Sequence, residues 1–207
     1  MVHTQAMKWM DKNRLILASR SPRRKELLSQ VGLDIDIVPA DVDETAAQDL
    51  PPQAFVKTLA EKKACHVMQQ HPDAWVLGAD TIVVKDNLIL NKPENRADAA
   101  RMLACLSGRT HSVFTGYAVG HLARGHLRTD AVETKVTFRA LTNPEILWYT
   151  GTDEPYDKAG GYAVQGLGAF MVKEICGSYT NVVGLPVCEI IQTLTGLGVI
   201  QFEGRLP

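Results

Sequence analysis

The chain has no excess of charge of either sign. Its 22 lysines and arginines stand against 23 acidic residues, a formal net charge of −1. Binding to duplex nucleic acid normally rests on a basic excess, so no such partner is expected and any useful positive charge must be local. Cysteine is sparse and unpatterned. Cys65, Cys105, Cys176 and Cys188 are widely spaced, with no C-x-x-C pair and no zinc-ligand spacing, and are expected as buried free thiols in a reducing compartment. Long apolar runs are missing as well. No stretch approaches the roughly 18 apolar residues that suggest a membrane-spanning helix. Met1 to Asn13 is polar with scattered apolar residues and lacks the apolar core of a signal peptide. The expectation is a soluble cytoplasmic protein without a membrane partner, whose residues 1–13 form a poorly ordered extension. Two familiar nucleotide-binding signatures are also absent. There is no Walker G-x-x-x-x-G-K-[ST], and no G-x-G-x-x-G follows the first strand.

What is present suffices for a real core: 207 residues, 45% of them hydrophobic, fit one large domain or two closely joined lobes. The most informative stretch runs from Leu15 to Leu28. It reads as a short apolar strand, a tight polar loop and a helix, with Ser21 as N-cap, Pro22 at the first helical position, and Leu27, Leu28 and Val31 as the inward stripe. Arg23, Arg24 and Lys25 fall in that helix's first turn, where the helix dipole already places positive charge. Each exposed cation there is unfavourable by roughly 0.3–1 kcal/mol. The placement makes sense if an anion binds. Free N–H groups, the Ser19 and Ser21 hydroxyls and guanidinium forks together describe a phosphate site at a strand-to-helix turn. The plainer reading is a solvated basic turn.

Further along, residues 34–39 alternate as a strand, and Pro51-Pro52 opens a helix to about Gln70 with the stripe Val56, Leu59, Ala60 and Val67. Lys63 falls on that same stripe, either as a snorkelling stem or as a functional charge. Trp75 to Val84 is nearly continuous apolar sequence, fit for a strand buried on both faces, yet Asp80 interrupts it. A buried carboxylate needs a partner or a metal; alternatively the strand breaks at Gly78. A hairpin turn at 85–88, a helix ending at Leu106, strands over 111–121 and 129–140, and a short helix from Asn143 follow. Residues 152–168 are the longest irregular stretch and carry Asp157, Lys158 and Gln165; long ordered loops are often functional. A strand over 170–175, a turn over 177–181 and a final helix ending at Thr195-Gly196 complete the chain. His111 reads as a structural hydrogen-bonding residue rather than a base, and Trp75 and Trp148 read as core.

The oddly placed charges form one set. Arg23, Arg24, Lys63, Lys92 and Lys158 could neutralise a polyphosphate, while Glu44, Asp80 and Asp157 could hold a divalent metal or activate water. Magnesium keeps several waters and needs only one or two protein carboxylates, so Glu44 and Asp80 would be enough. Sequence spacing does not itself bring these groups together.

Five segments carry a resemblance: Ala-Ser-Arg-Ser-Pro-Arg-Arg (18–24), Leu-Gly-Ala-Asp-Thr-Ile-Val (77–83), Asn-Lys-Pro (91–93), Glu-Pro-Tyr-Asp-Lys-Ala-Gly-Gly-Tyr-Ala-Val-Gln-Gly (154–166) and Gly-Ser-Tyr-Thr-Asn-Val-Val-Gly-Leu-Pro (177–186). In order and in combination they resemble the Maf family of nucleoside triphosphate pyrophosphatases, from about Leu15 to Leu194. The resemblance implies an α/β fold of mixed α+β character, with a twisted mixed sheet flanked by helices, inosine-triphosphatase-like, and a cleft between two lobes. Residues 14–207 would form one domain. It implies cleavage between the α- and β-phosphates with Mg2+ or Mn2+, and a possible homodimer. By position, Asp80 resembles the proton acceptor that activates water. Ser19, Arg23 and Arg24 resemble the phosphate-binding turn. Lys63, Lys92, Glu44, Asp157 and Lys158 resemble the rest of the phosphate and metal shell. Arg23, Thr81 and Gln165 stand at specificity positions in a combination similar to the dTTP/UTP branch. The branch acting on 7-methyl-GTP has a glutamine at the place of Thr81 and a glutamate at that of Gln165. A neutral amide suits an uncharged pyrimidine edge, whereas a carboxylate suits the cationic methylated ring. Two alternatives remain at this level: a pyrophosphatase for 7-methyl-GTP or another modified nucleotide, and a nucleotide-binding regulator of cell division or septum formation.

Overall fold

Short apolar runs suited to strands and segments of helical period are interspersed along the chain, and the elements follow them. A computed structural model describes residues 7–9, 15–43 and 50–202, with the side chains of 7–9 left aside. The elements are β1 (Met7–Trp9), β2 (Leu15–Leu17), α1 (Pro22–Gln30), β3 (Ile35–Ile37), α2 (Pro52–Gln70), β4 (Trp75–Lys85), β5 (Leu88–Leu90), α3 (Arg96–Leu106), β6 (Thr110–His121), β7 (His126–Phe138), α4 (Asn143–Tyr149), β8 (Val172–Cys176), α5 (Tyr179–Val183), α6 (Val187–Gly196) and β9 (Ile200–Phe202). Short 3-10 turns fill much of 154–171.

The main sheet is mixed, in the order β3-β2-β4-β6-β7-β8, with β5 beside β4. Its spine is β4, which forms one unbroken strand through Asp80 rather than breaking at Gly78. One edge of β4 pairs antiparallel with β6 from Val76 to Val84. The other edge is shared. Parallel β2 covers Trp75 to Leu77, and antiparallel β5 covers Val83 to Lys85 after a turn in which Asp86 and Asn87 take positive φ. Residues 78–82 therefore have no strand partner on that edge among the described residues. Open α/β sheets place ligands in crevices beyond the carboxyl ends of their strands, and β2 ends beside this gap.

Alternation along β4 sorts its side chains into two layers. Val76, Ile82 and Val84 face α2, whose Phe55, Val56, Leu59, Ala60, Ala64 and Val67 are buried against them. Trp75, Leu77 and Ala79 pack with α1 and α6, and Val83 packs with Met102, Leu103 and Leu106 of α3. Each fully buried Leu or Val contributes roughly 1.5–3 kcal/mol. Gly78 and Gly116 let α2 approach this closely, because a Cβ on either would run into the α2 backbone at Ala60 or Val56. The same alternation sends Asp80 toward α2 and Thr81 toward α5.

Several local expectations are corrected. Met7–Trp9 is not loose extension but pairs antiparallel with Ile200–Phe202. Residues 177–181 are more than a turn: the Ser178 hydroxyl accepts from the Asn181 N–H at 3.3 Å and caps helix α5. Ser21 occupies the N-cap of α1, but its side chain makes no capping bond; its own N–H is taken by the Ser19 hydroxyl at 3.2 Å instead. Trp75 is core, whereas Trp148 is 54% exposed. The inward residues of α4 are Ile146 and Tyr149, and one position of helical rotation turns Trp148 outward. The thiols are free but not buried: Cys65 and Cys105 are half-buried, Cys176 and Cys188 exposed.

Candidate active site

Three segments converge on the uncovered edge of β4. The turn between β2 and α1 approaches from one side, the 3-10 region from Glu154 to Gly166 from the other, and α5 closes the floor. Between them opens a cleft of about 1140 Å3, large enough for a nucleotide. It is lined by Ser19, Arg23, Arg24, Lys63, Asp80 and Thr81, and also by Lys92, Lys158 and Gln165. Every described residue expected in the site from sequence reaches this one cleft. Glu44, the other expected metal ligand, lies outside the described residues.

Lys63 and Asp80 form the cleft's closest pair. Lys63 Nζ donates to Asp80 Oδ1 at 2.6 Å, and both side chains are only 14% exposed. The lysine on the inward face of α2 is thus held by the aspartate in the strand it packs on. Each irregularity of the sequence is the partner of the other. Asp80 Oδ2 takes no hydrogen bond among the described residues, so one oxygen is left toward water or a cation.

Arg24 is tied to protein acceptors. Nε donates to Gly184 O at 2.8 Å, Nη1 to Ala79 O at 2.9 Å and Ser19 Oγ at 3.0 Å, and Nη2 to Thr81 Oγ1 at 3.0 Å. The Ala79 carbonyl belongs to the open edge of β4, so the guanidinium takes the place of the missing strand. Ser19, 8% exposed, receives both Ser21 N–H and Arg24 and fixes the turn's shape. No acidic residue lies in the first turn of α1 to answer its dipole.

Arg23 reaches across the cleft mouth and donates to Asp157 Oδ2 at 2.8 Å. Lys158 Nζ donates to the Glu154 carbonyl at 2.6 Å and to the other oxygen of Asp157. Burial draws the Asp157 carboxyl upward, but hydrogen bonds from Lys158 and Arg23 outweigh it and hold it below the usual carboxylate range. The Arg23 and Asp157 side chains are 29% and 59% exposed. Such a pair contributes less than about 1 kcal/mol, and a ligand can take the arginine from it at little cost. Lys92 and the exposed Gln165 line the cleft with side chains that make no hydrogen bond among the described residues.

Some residues that shape the site were not singled out from sequence. Glu154 accepts from Leu167 N–H at 3.1 Å and Gly168 N–H at 2.8 Å, folding back the segment that carries Gln165. Its place in a quoted motif was the available signal. Thr115 and Asn181, both fully buried, support Thr81 from below; only strand register places them there. His111 is structural: burial disfavours the imidazolium and, with Lys85 nearby, lowers its pKa to about 4, and Nε2 lies 2.8 Å from the Tyr162 hydroxyl.

Comparison with known proteins gives a consistent picture. Residues 14–197 match the family described as Maf-like protein. A protein of Syntrophus aciditrophicus named dTTP/UTP pyrophosphatase is 49% identical over 191 residues, 92% of this chain and 93% of its own. One of Moorella thermoacetica with the same name is 50% identical over 187 residues, 90% and 96% of the two chains. One of Geobacter sulfurreducens, again so named, is 47% identical over 191 residues, 92% and 100%. A HAM1 protein from Coxiella burnetii overlaps 61% of this chain and 73% of its own at 16% identity and a TM-score of 0.41, a likeness too loose to argue from. With the family matched over most of its length and relatives near half-identical throughout, the chain belongs to the Maf family.

Proposed function

We propose that this protein hydrolyses dTTP and UTP at the α–β phosphoanhydride, giving the nucleoside monophosphate and pyrophosphate. One observation carries the reading: a single cleft holds Asp80, the cations Arg23, Lys63, Lys92 and Lys158, and the Thr81–Arg24 floor, in a chain nearly half-identical to proteins named for this reaction. Arg23, Lys63, Lys92 and Lys158 neutralise the triphosphate, with Lys63 and Arg23 exchanging a carboxylate partner for phosphate oxygens. The Asp80 carboxylate takes the proton of the attacking water as its oxygen bonds to phosphorus, and the bridging oxygen leaves with the departing phosphate group. Gln165 meets the pyrimidine edge as donor and acceptor.

The proposal includes a divalent cation, Mg2+ or Mn2+. Among the described residues no three or more His, Cys, Asp or Glu side chains are grouped so as to hold a metal ion by themselves. The donors nonetheless suit a hard cation that keeps most of its waters: Asp80 offers a carboxylate oxygen that takes no hydrogen bond among the described residues, with Glu44 as the expected second. When bound, the cation would neutralise phosphate charge and polarise water. The proposal extends to a homodimer, to no duplex nucleic acid partner, and to a cytoplasmic setting, which four free cysteines suit. No helix among the described residues is long and apolar enough to cross a membrane.

The test is pyrophosphate release across a nucleotide panel with magnesium or manganese. Fastest turnover on dTTP and UTP is expected. Turnover fastest on 7-methyl-GTP, or binding without release on every nucleotide, would refute the assignment.

A further inference from the structure

We propose that Thr115, buried behind the cleft, is a positioning residue that fixes Thr81 and, through it, the Arg24 guanidinium at the cleft floor. The proposal rests on the pyrophosphatase reading for its effect on rate. Its geometric part stands on the hydrogen bonds alone.

Thr115 lies directly opposite Thr81 in the β4–β6 register, so the two side chains meet as a cross-strand pair. Their hydroxyl oxygens are 2.9 Å apart. Thr81 Oγ1 accepts from Arg24 Nη2 at 3.0 Å and can donate to Gly184 O at 3.3 Å. Thr115 Oγ1 can donate to Asn181 O at 3.3 Å. Asn181 is itself anchored: its Nδ2 donates to Val113 O at 3.1 Å and to Thr134 Oγ1 at 3.0 Å. The polar chain thus runs from the sheet interior outward, through Asn181, Thr115 and Thr81 to Arg24.

Each hydroxyl has one proton and two acceptors within reach. Two orientations satisfy the chain. Thr115 donates to Thr81 and Thr81 to Gly184 O, or Thr81 donates to Thr115 and Thr115 to Asn181 O. In both, Thr81 keeps a lone pair aimed at Arg24. Remove the Thr115 hydroxyl and that constraint weakens: the half-buried Thr81 hydroxyl keeps Arg24 and Gly184 O but loses its third partner and is freer to rotate. Arg24 bridges three segments: the β2–α1 turn through Ser19, the β4 edge through Ala79 and Thr81, and the end of α5 through Gly184. A misplacement of order 1 Å in such a group can cost about a hundredfold in rate. Thr115 touches no substrate. It stands one layer behind a residue that the family resemblance places at a specificity position.

The experiment uses the full chain and three variants, Thr115→Val, Thr115→Ser and Thr81→Val, with the double variant of the two valines. Steady-state turnover of dTTP and the melting temperature are measured for each. The expected result is that Thr115→Val lowers kcat about tenfold with KM moved less than threefold, and that Thr115→Ser restores it to within twofold. The double variant should be no slower than the slower single, since both act through one path. A kcat for Thr115→Val within twofold of the parent, or full multiplicative loss in the double variant, overturns the proposal. A measurement on the unmodified chain covers the case in which the valine variant does not fold. The Arg24 Nη2–H resonances, assigned by their loss in Arg24→Lys, should be protected from solvent exchange in the free protein through the bond to Thr81 and should shift in Thr115→Ser. Exchange as fast as that of an exposed arginine overturns the proposal. If the parent chain releases no pyrophosphate yet keeps a protected Arg24 signal that shifts in Thr115→Ser, the functional reading fails and the positioning stands.

Discussion

Replacing Asp80 by asparagine separates the chemistry of the cleft from its stability. The carboxylate sits 2.6 Å from Lys63 Nζ, with both side chains 14% exposed. Removing one partner of a buried ion pair costs roughly 3–5 kcal/mol because the other charge stays behind. Here the lysine can still reach the solvent in the cleft, and the new amide oxygen can still accept from it, so about 2–3 kcal/mol is expected. For a chain of this size each kcal/mol moves the melting temperature by roughly 2–4 °C, which gives a drop of about 4–12 °C. Turnover is a separate quantity. Loss of a general base costs about a hundredfold to ten-thousandfold, roughly 3–5 kcal/mol in the barrier. The double variant Asp80→Asn with Lys63→Met tells the two apart. It removes both charges, and neutral replacement of a buried pair is often harmless or stabilising. Its melting temperature should return toward that of the parent while its pyrophosphate release stays at background. Thermal melts and single-turnover release on dTTP read the two quantities. Asp80→Asn with more than a tenth of the parent rate would remove the carboxylate from the reaction. Recovery of activity in step with stability in the double variant would mean that the pair serves the fold alone.

Three further outcomes follow from the geometry. Gln165→Glu places a charge at the base edge from an exposed loop position, so kcat/KM for dTTP and UTP should fall about tenfold or more while the melting temperature moves little, as for most surface substitutions; unchanged ratios across nucleotides would count against contact with the base. Glu154→Gln keeps one acceptor for Leu167 N–H or Gly168 N–H but not the charge that both bonds share; relative rates on UTP and CTP should change as the Gln165 segment loosens, and identical rates would show that this carboxylate does not set the loop. His111, buried as the neutral imidazole with a pKa of about 4, gives a pH dependence of stability. The unfolded chain binds its proton near pH 6.5 and the folded chain does not, so stability is full above pH 6.5 and falls as pH drops toward 4, by up to about 3 kcal/mol. Denaturant midpoints at pH 7 and pH 4.5 should converge in His111→Gln, and an equal loss in both proteins would refute the assignment.

The elements of this fold were legible where one physical signal dominates. The apolar run of β4, the helical stripe of α2 and the strands β6 and β7 needed only local pattern; that β4 continues unbroken through Asp80 did not follow from it. Elements held by a distant partner were not legible. Met7–Trp9 is strand only because Ile200–Phe202 lies beside it, at the opposite end of the chain. Helix α5 depends on a single serine cap, and a five-residue helix has too few residues to show a period. The site was half legible for a related reason. Charges that violate their local surroundings announce themselves, so Lys63 on an inward stripe and Asp80 in a strand stood out. Thr115 and Asn181 violate nothing. A threonine in a strand is ordinary, and only the register of β6 against β4 turns it into part of a site.

Alternation along β4 accounts for how one short segment supplies both the chemistry and its scaffold. Asp80 and Thr81 are neighbours, so in a strand they face opposite layers. Deep in a fully paired sheet those two side chains would never share a ligand. The gap between β2 and β5 changes this, because residues 78–82 form an edge and both layers open onto it. Asp80 comes to that edge from the α2 layer with Lys63, and Thr81 comes from the α5 layer with Arg24 and Thr115. A cleft built this way can be altered one layer at a time. Substitutions at Thr81, Thr115 or Gly184 act on the floor that Arg24 spans, while the Lys63–Asp80 pair keeps its place on the other face. Closing the gap would undo both. A β2 longer by three residues would cover Asp80 with a neighbouring strand, and the carboxylate would be left as a buried charge without access to water.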